Sequence, residues 1–276
     1  MKALRIFIER NISRVWLALV YFFLYIPLFF LIVFSFNSTR QDGVFTGFSL
    51  RWYRALLDDS RLVEGFFLSL QVALLTATLS VVLGSFAAFV LVRYRRFSGR
   101  TLFYGLVNAP LVMPEVIIGM SLLLLMVAVQ RAIGWPDRGF ITIVLGHTLL
   151  GMAYATVVIQ SRLADMDHAT EEAAMDLGCK PMEVFFLVTL PSIAPALVAG
   201  WLLTFTLSFD DVVISEFLSG PGVTTLPQVI FSYARRGVNP SIYAAATILI
   251  VVVSLGIIAY SIAMMRRQKR IERDLN

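Results

Sequence analysis

Long runs of hydrophobic residues, separated by short polar stretches, dominate this sequence. A helix needs about 20 residues to cross a bilayer, and helices satisfy their own backbone polar groups within lipid. Six runs are long enough, and they lie near residues 15–36, 66–92, 103–130, 140–160, 193–219 and 241–265. The pattern predicts an all-α membrane protein with six transmembrane helices that form a single transmembrane domain over residues 1–276. Pro110 and Pro114 are expected to break the third helix just before Glu115.

The composition supports this prediction and excludes several other classes of protein. Of the 276 residues, 58% are hydrophobic and 15% are charged, whereas soluble domains carry about 25% charged residues. The one cysteine, Cys179, excludes an internal disulfide and a multi-cysteine metal site. Neither a nucleophile–base pair nor a nucleotide-binding loop is present. We therefore expect a protein with no catalytic residues, no metal site and no cofactor of its own.

The distribution of Lys and Arg predicts the orientation of the chain. Membrane proteins concentrate these residues in their cytoplasmic segments. If both termini are cytoplasmic, 15 of the 23 lie inside and 8 outside. The outer eight are Arg40, Arg51, Arg54, Arg61, Arg131, Arg138, Arg235 and Arg236. The net charge of +5 is therefore interpreted as topology information, and no nucleic-acid partner is expected.

Four acidic residues fall within or beside the predicted spans. Each such charge costs about 2.5–3.5 kcal/mol on insertion scales, and no Lys or Arg lies deep in a span to pair with it. Water, a proton or a passing cation must then supply the compensation. A helical spacing of 4, 3 and 4 places Thr204, Ser208, Asp211 and Ser215 on one face. We predict a pathway for a cationic substrate that contains Glu115, Asp210, Asp211, Glu216, Ser208 and Ser215.

Asp211 is the best single candidate in this pathway, because the other residues on its face are small and hydroxylated. A proton relay or a buried, hydrogen-bonded carboxyl group remains the structural alternative. His147 and His168 are isolated in the sequence and are interpreted as structural residues. Trp201, Phe205 and Phe209 form an aromatic stripe that is expected to pack in the core or face lipid, with cation–π contact as the less common role.

The predicted cytoplasmic loop 161–192 has the features of a rigid corner. Asp167 or Thr170 can cap a first helix, and Gly178 suits the left-handed position after it. Pro181 suits the first turn of a second helix, which Pro191 is expected to end. The apolar side chains of Ala173, Met175, Val184 and Phe185 then need a surface to cover them. This pattern favours a helix–turn–helix that docks on another protein, and a solvated acidic connector is the alternative.

The same loop carries a resemblance to a known family. Glu172-Ala173-Ala174, Gly178 and Leu190-Pro191 have the spacing of the EAA loop of type I ABC-importer permeases, with Val188 where that motif usually has Ile. The stretches APLVMPEVIIGMSLLLL, FTLSFDDVVISEFLSGPGVTTLP and RRGVNPSI resemble the polyamine (spermidine/putrescine) permeases, especially the putrescine-type second permease. In that family the loop is a coupling helix seated on an ATPase. The resemblance assigns ATPase coupling to Glu171, Glu172, Ala173, Ala174, Gly178 and Pro191.

The resemblance also implies the partners. It implies an ATP-binding cassette ATPase dimer that binds ATP and Mg, a second permease subunit and an external polyamine-binding protein, in contact with the lipid of a bacterial inner membrane. The function expected is inward transport of polyamines through a type I permease bundle. A secondary transporter or cation channel could use the same carboxylates, and another ABC permease could carry a different substrate. The first alternative leaves the docking corner without a role.

Overall fold

A computed structural model describes residues 2–39, 44–94, 96–236 and 240–251, together with positions 254, 255, 258, 262 and 265. The elements within these residues are helices, apart from one antiparallel bridge between Asn37 and Phe48. In chain order the helices are α1 (Lys2–Ser35), α2 (Arg51–Leu57), α3 (Ser60–Arg93), α4 (Arg100–Val112), α5 (Glu115–Ile133), α6 (Phe140–Ala164), α7 (His168–Asp176), α8 (Pro181–Val184), α9 (Leu190–Phe209), α10 (Val213–Leu218), α11 (Leu226–Arg235) and α12 (Pro240–Val251).

Five stretches of helix among the described residues are long and apolar enough to cross a membrane, and α12 is a shorter apolar helix. The first, second and fourth predicted spans are confirmed as α1, α3 and α6. The third is divided into α4 and α5 at Met113 and Pro114, as predicted from Pro114. Met113 is extended (φ −79°, ψ 140°), because a proline disfavours helical geometry in the residue before it. Pro110 lies inside α4 without ending it. Part of the sixth predicted span, 241–265, lies outside the described residues.

The fifth predicted span differs from the structure at both ends. The helical stretch begins at Pro181, passes through a π-helical turn at Phe185–Thr189, and continues as α9 to Phe209. Pro191 lies in the first turn of α9, so the prediction that it ends a helix is wrong. Pro191 therefore lies within one continuous helical stretch, directly after its π-helical turn. At the other end the helix stops at Phe209, and α10 begins only at Val213.

The chain forms two compact units. One contains Met1–Ser60 and Ser232–Asn276, and the other contains Arg61–Phe231. In the first unit, the Trp52 indole N–H donates to the backbone carbonyl of Asn37 at 2.6 Å, and the Tyr233 hydroxyl donates to Asp59 at 2.9 Å. Within α1, the side chains from Ile12 to Tyr25 are exposed or nearly so, as expected for a helix that faces lipid or a partner. A single permease domain over residues 1–276 stays a prediction.

The second unit is held together where small residues let helices approach closely. Gly84 of α3 lies against Ala155 of α6, and Gly151 of α6 lies against Ser80 of α3. Small residues allow such contacts between membrane helices. Two apolar clusters surround this line of contact: one joins α3, α5, α6 and α10, and the other joins α3, α6 and α9. Helix α6 therefore packs against α9 and α10, on either side of the point where the fifth span is interrupted.

Candidate functional site

The interruption of the fifth span is made by Asp210, Asp211 and Val212. Asp211 accepts hydrogen bonds from the backbone N–H groups of Ser215, at 2.8 Å, and Ile214, at 3.3 Å. An aspartate that binds free N–H groups favours the beginning of a helix over its interior. The prediction of one continuous helical face through residues 204, 208, 211 and 215 is therefore wrong. Thr204, Ser208 and Ser215 are nevertheless buried.

His147 of α6 is the side-chain partner of Asp211. Its Nε2 lies 3.0 Å from the Asp211 Oδ2 and 3.1 Å from the Ser215 hydroxyl, and its Nδ1 lies 2.7 Å from the Ser208 hydroxyl. The side chain is buried, with 4% of the residue exposed. His147 is therefore isolated along the chain but not in space. A histidine in an apolar span is the one sequence signal for this contact, and the sequence does not indicate which carboxylate it meets.

A cavity of about 360 Å³ lies beside this network. Its walls carry the carboxylates of Glu115, Asp210 and Asp211, together with His147, Thr204 and Ser208. Glu115 is the first residue of α5 and Asp210 directly follows α9, so the cavity lies where two spans are interrupted. No Lys or Arg of the described residues lines it. Within the described part of the chain, no side chain donates a hydrogen bond to Glu115 or Asp210. The carboxylate oxygens of both residues are therefore available to a ligand.

Two residues of the predicted pathway do not line this cavity. Ser215 is fully buried and contacts His147. Glu216 accepts a hydrogen bond of 3.1 Å from the Gln228 amide, whose carbonyl oxygen is in turn held by the backbone N–H of Thr225 at 2.8 Å. The four predicted acids are thus divided: three share one cavity, and Glu216 belongs to a separate hydrogen-bonded group.

The aromatic stripe of α9 packs as a stacked ladder. Trp201 and Phe205 have ring centroids 5.3 Å apart, and Phe205 and Phe209 have centroids 5.8 Å apart. The Trp201 indole N–H donates to the Thr78 hydroxyl of α3 at 3.2 Å, and Phe66 of α3 meets the ring of Phe209 edge-on. The stripe therefore packs against α3, which agrees with its interpretation as a packing element.

The loop after α6 forms the predicted corner. The Asp167 side chain caps α7 by accepting from the backbone N–H of Ala169 at 2.9 Å. Gly178 adopts a positive φ of 94°, and Pro181 begins α8. Glu183 accepts a hydrogen bond of 2.8 Å from the backbone N–H of Lys180. The predicted helix–turn–helix, with Asp167 as its cap, is confirmed.

The inner side of this corner is fastened to the rest of its unit. Glu171 is buried, and it accepts hydrogen bonds from the Arg93 guanidinium at the end of α3 and from the Thr189 hydroxyl. Val184 is buried within the chain, and Phe185 meets Phe89 of α3 edge-on. These two apolar side chains therefore find their cover inside the protein, contrary to the expectation that a partner must supply it.

The outer side of the corner presents the remaining apolar side chains. Leu177 is 87% exposed and Met182 is 67% exposed. Met175 is also exposed, but it lines a small pocket with Arg93 and Glu171 of the inner side. The motif residues Glu172 and Ala173 are also exposed, whereas Ala174 is partly covered. The corner therefore has an anchored inner side, with Glu171, and a free outer side with Glu172.

The fold and the two sites define a class of membrane transport protein. The chain belongs to the family of inner membrane components of binding-protein-dependent transport systems, whose model matches residues 80–273.

Individual relatives have names that specify a substrate. The chain is 51% identical to the putrescine transport system permease protein PotI of Escherichia coli (strain K12), over 94% of this chain and 92% of that protein. It is 38% identical to the spermidine/putrescine transport system permease protein PotC of Haemophilus influenzae, over 90% of this chain and 94% of that protein.

Solved structures place the fold among the type I ABC-importer permeases. A bacterial ABC transporter involved in the import of the acidic polysaccharide alginate matches with a TM-score of 0.69 and 17% identity, over 94% of this chain and 98% of that chain. The methionine ABC transporter MetNI matches with a TM-score of 0.59 and 19% identity, over 74% of this chain and 94% of that chain. At these identities the likeness concerns the fold alone, and it confirms the predicted fold class.

Proposed function

We propose that this chain is a permease subunit of an ABC importer that carries polyamines of the putrescine and spermidine class into the cell. The observation that carries the proposal is the cavity between two interrupted spans, whose walls, as far as the chain is described, carry three carboxylates and neither Lys nor Arg. The relatives that are 51% and 38% identical to this chain are named as putrescine and spermidine/putrescine permeases. Transport of such a substrate requires a cavity that can bind a cation.

Glu115 and Asp210 are the direct ligands in this proposal. A protonated amine forms charge-assisted hydrogen bonds with a carboxylate, which are stronger than those between neutral groups. Both oxygens of Asp211 already accept hydrogen bonds from backbone N–H groups, and one also contacts His147. Asp211 therefore contributes negative charge and shape to the cavity, while Glu115 and Asp210 keep oxygens available for the amine. Thr204 and Ser208 are further hydroxyl groups in the wall.

Coupling to ATP hydrolysis is proposed for the corner formed by α7 and α8. An ATPase subunit would cover Leu177 and Met182 and contact Glu172, which all face outward. Closure of an ATPase dimer on ATP and Mg would move this corner. The anchored Glu171 would pass the movement to α3 and to the stretch that continues into α9. The bundle would then alternate between outward-open and inward-open states around the cavity.

The proposed assembly includes a second permease subunit and an external binding protein that delivers the polyamine. Both termini of this chain are placed in the cytoplasm, on the Lys and Arg distribution described above. Neither metal nor catalytic chemistry is assigned to the chain, because ATP hydrolysis belongs to the proposed ATPase.

The test is uptake by the complete complex in liposomes, with ATP inside and the binding protein outside. Glu115→Gln and Asp210→Asn each preserve shape and remove one charge. Loss of a hydrogen bond to a charged group costs about 1.5–3 kcal/mol, so we expect uptake of radiolabelled putrescine at subsaturating concentration to fall by at least about tenfold. Asp137→Asn is the control, since this carboxylate lies outside the cavity.

Normal putrescine and spermidine uptake by the Glu115→Gln, Asp210→Asn double variant would refute the substrate assignment. Uptake that continues without ATP would instead favour a channel or a secondary transporter. Assembly with the ATPase is measured in every variant, so that a lost complex is not counted as lost transport.

A further inference from the structure

We infer that His147 is a positioning residue of the polyamine site: it holds the interruption between α9 and α10 in the shape that directs Asp210 into the cavity. The inference rests on the proposed function and concerns a residue that lies outside the predicted substrate pathway. It requires that the ring act on the substrate through Asp211 and not by direct contact.

The ring contacts every segment around the interruption. Nδ1 meets Ser208 in the last turns of α9, and Nε2 meets both Asp211 in the interruption and Ser215 in α10. Its own helix, α6, is continuous through this region. One buried side chain on an unbroken helix is therefore the common anchor of two helices and the residues between them. Since buried polar groups are costly when they lose a partner, this arrangement favours one geometry of the interruption.

Asp211 connects the ring to the binding carboxylate. Both oxygens of the Asp211 carboxylate accept hydrogen bonds from N–H groups in the first turn of α10, and Oδ2 also lies against His147. With that oxygen held, the backbone of the adjacent Asp210 has little freedom, and its side chain stays on the cavity wall. If the ring is removed, Asp211 can rotate toward the cavity. The substrate would then meet a different arrangement of charges.

A matched pair of substitutions separates positioning from packing. The amide of glutamine reaches about as far as Nε2 and can still meet Asp211, whereas the shorter amide of asparagine reaches only as far as Nδ1, beside Ser208. We expect His147→Asn to raise the KM for putrescine about tenfold with little change in Vmax. We expect His147→Gln to raise it about threefold or less. The assay is ATP-dependent uptake by the complete complex in liposomes.

A neighbouring residue supplies the control. Thr148 is buried beside His147, and its hydroxyl has no hydrogen-bond partner among the described residues. Thr148→Val keeps the shape of the side chain and should leave KM unchanged. Ser208→Ala is a milder second variant, which removes the contact of Nδ1 without changing the ring, and it should raise KM about threefold. This variant keeps the test usable if the His147 variants do not assemble.

The outcomes distinguish the inference from the proposed function. Equal KM values for His147→Asn, Ser208→Ala and the unmodified protein would overturn the positioning role. A loss of Vmax at unchanged KM, equal in the asparagine and glutamine variants, would overturn it as well, since only packing would then be involved. If Glu115→Gln and Asp210→Asn transport normally in the same assay, the proposed function itself fails.

Discussion

The ion pair between Arg93 and Glu171 offers a quantitative test of how the corner is anchored. Glu171 is 7% exposed and accepts hydrogen bonds from Arg93 and Thr189. Removal of one partner of a buried ion pair costs about 3–5 kcal/mol when the other charge keeps no compensation, and Glu171 retains other contacts, which lowers this cost. Arg93 keeps part of its side chain in contact with solvent, which reduces the cost. We expect Arg93→Met to loosen the corner by about 2–3 kcal/mol.

Hydrogen exchange measures this local change directly. The backbone N–H groups of residues 168–184 should exchange about 30- to 150-fold faster in Arg93→Met, because exchange through local opening follows the free energy of that opening. Those of α6 should change little. The double variant Arg93→Met, Glu171→Gln should recover part of the protection, since it no longer leaves a charge in the buried position. Uptake should fall in Arg93→Met while the ATPase still binds.

The matched control is Glu172→Gln, at the exposed neighbouring position. It should leave exchange in residues 168–184 unchanged, whatever it does to ATPase binding. Unchanged exchange in Arg93→Met would refute the anchoring argument. Equal exchange in the single and double variants would show that the cost does not come from an uncompensated carboxylate.

Three further outcomes are expected. Gly178→Val places a β-branched side chain at a positive φ of 94°, at a cost of about 1–3 kcal/mol, and should uncouple ATP hydrolysis from uptake in an inserted complex; full uptake with normal ATPase activity would contradict this. Reporter fusions after residues 50 and 276 should lie on opposite sides of the membrane, and a result on one side would mean that the spans are miscounted. Asp211→Asn should reduce putrescine uptake, and adding Glu115→Gln should reduce it further; normal uptake in both would make these carboxylates structural.

Much of this protein follows from local patterns in the sequence. The long apolar runs predict membrane helices because a segment in lipid must satisfy its own backbone hydrogen bonds, and a helix does so within one segment. Pro114 predicts the division of the third span because a proline acts on the residue next to it. The corner at Asp167 and Gly178 was also predictable, since a cap and a positive φ are properties of single positions.

Only the tertiary structure shows which side chains pair with the buried charges. Asp211 and His147 lie 64 residues apart, and Arg93 and Glu171 lie 78 apart, so neither pair leaves a periodic signal in the sequence. The helical spacing of residues 204–215 favoured a continuous face, yet Asp211 binds the N–H groups of α10 and the helix stops at Phe209. The charge of a carboxylate on a membrane helix can be compensated by a passing cation or by a side chain from another helix. In this protein the packing of α6 against the interruption determines which carboxylates remain available for the substrate.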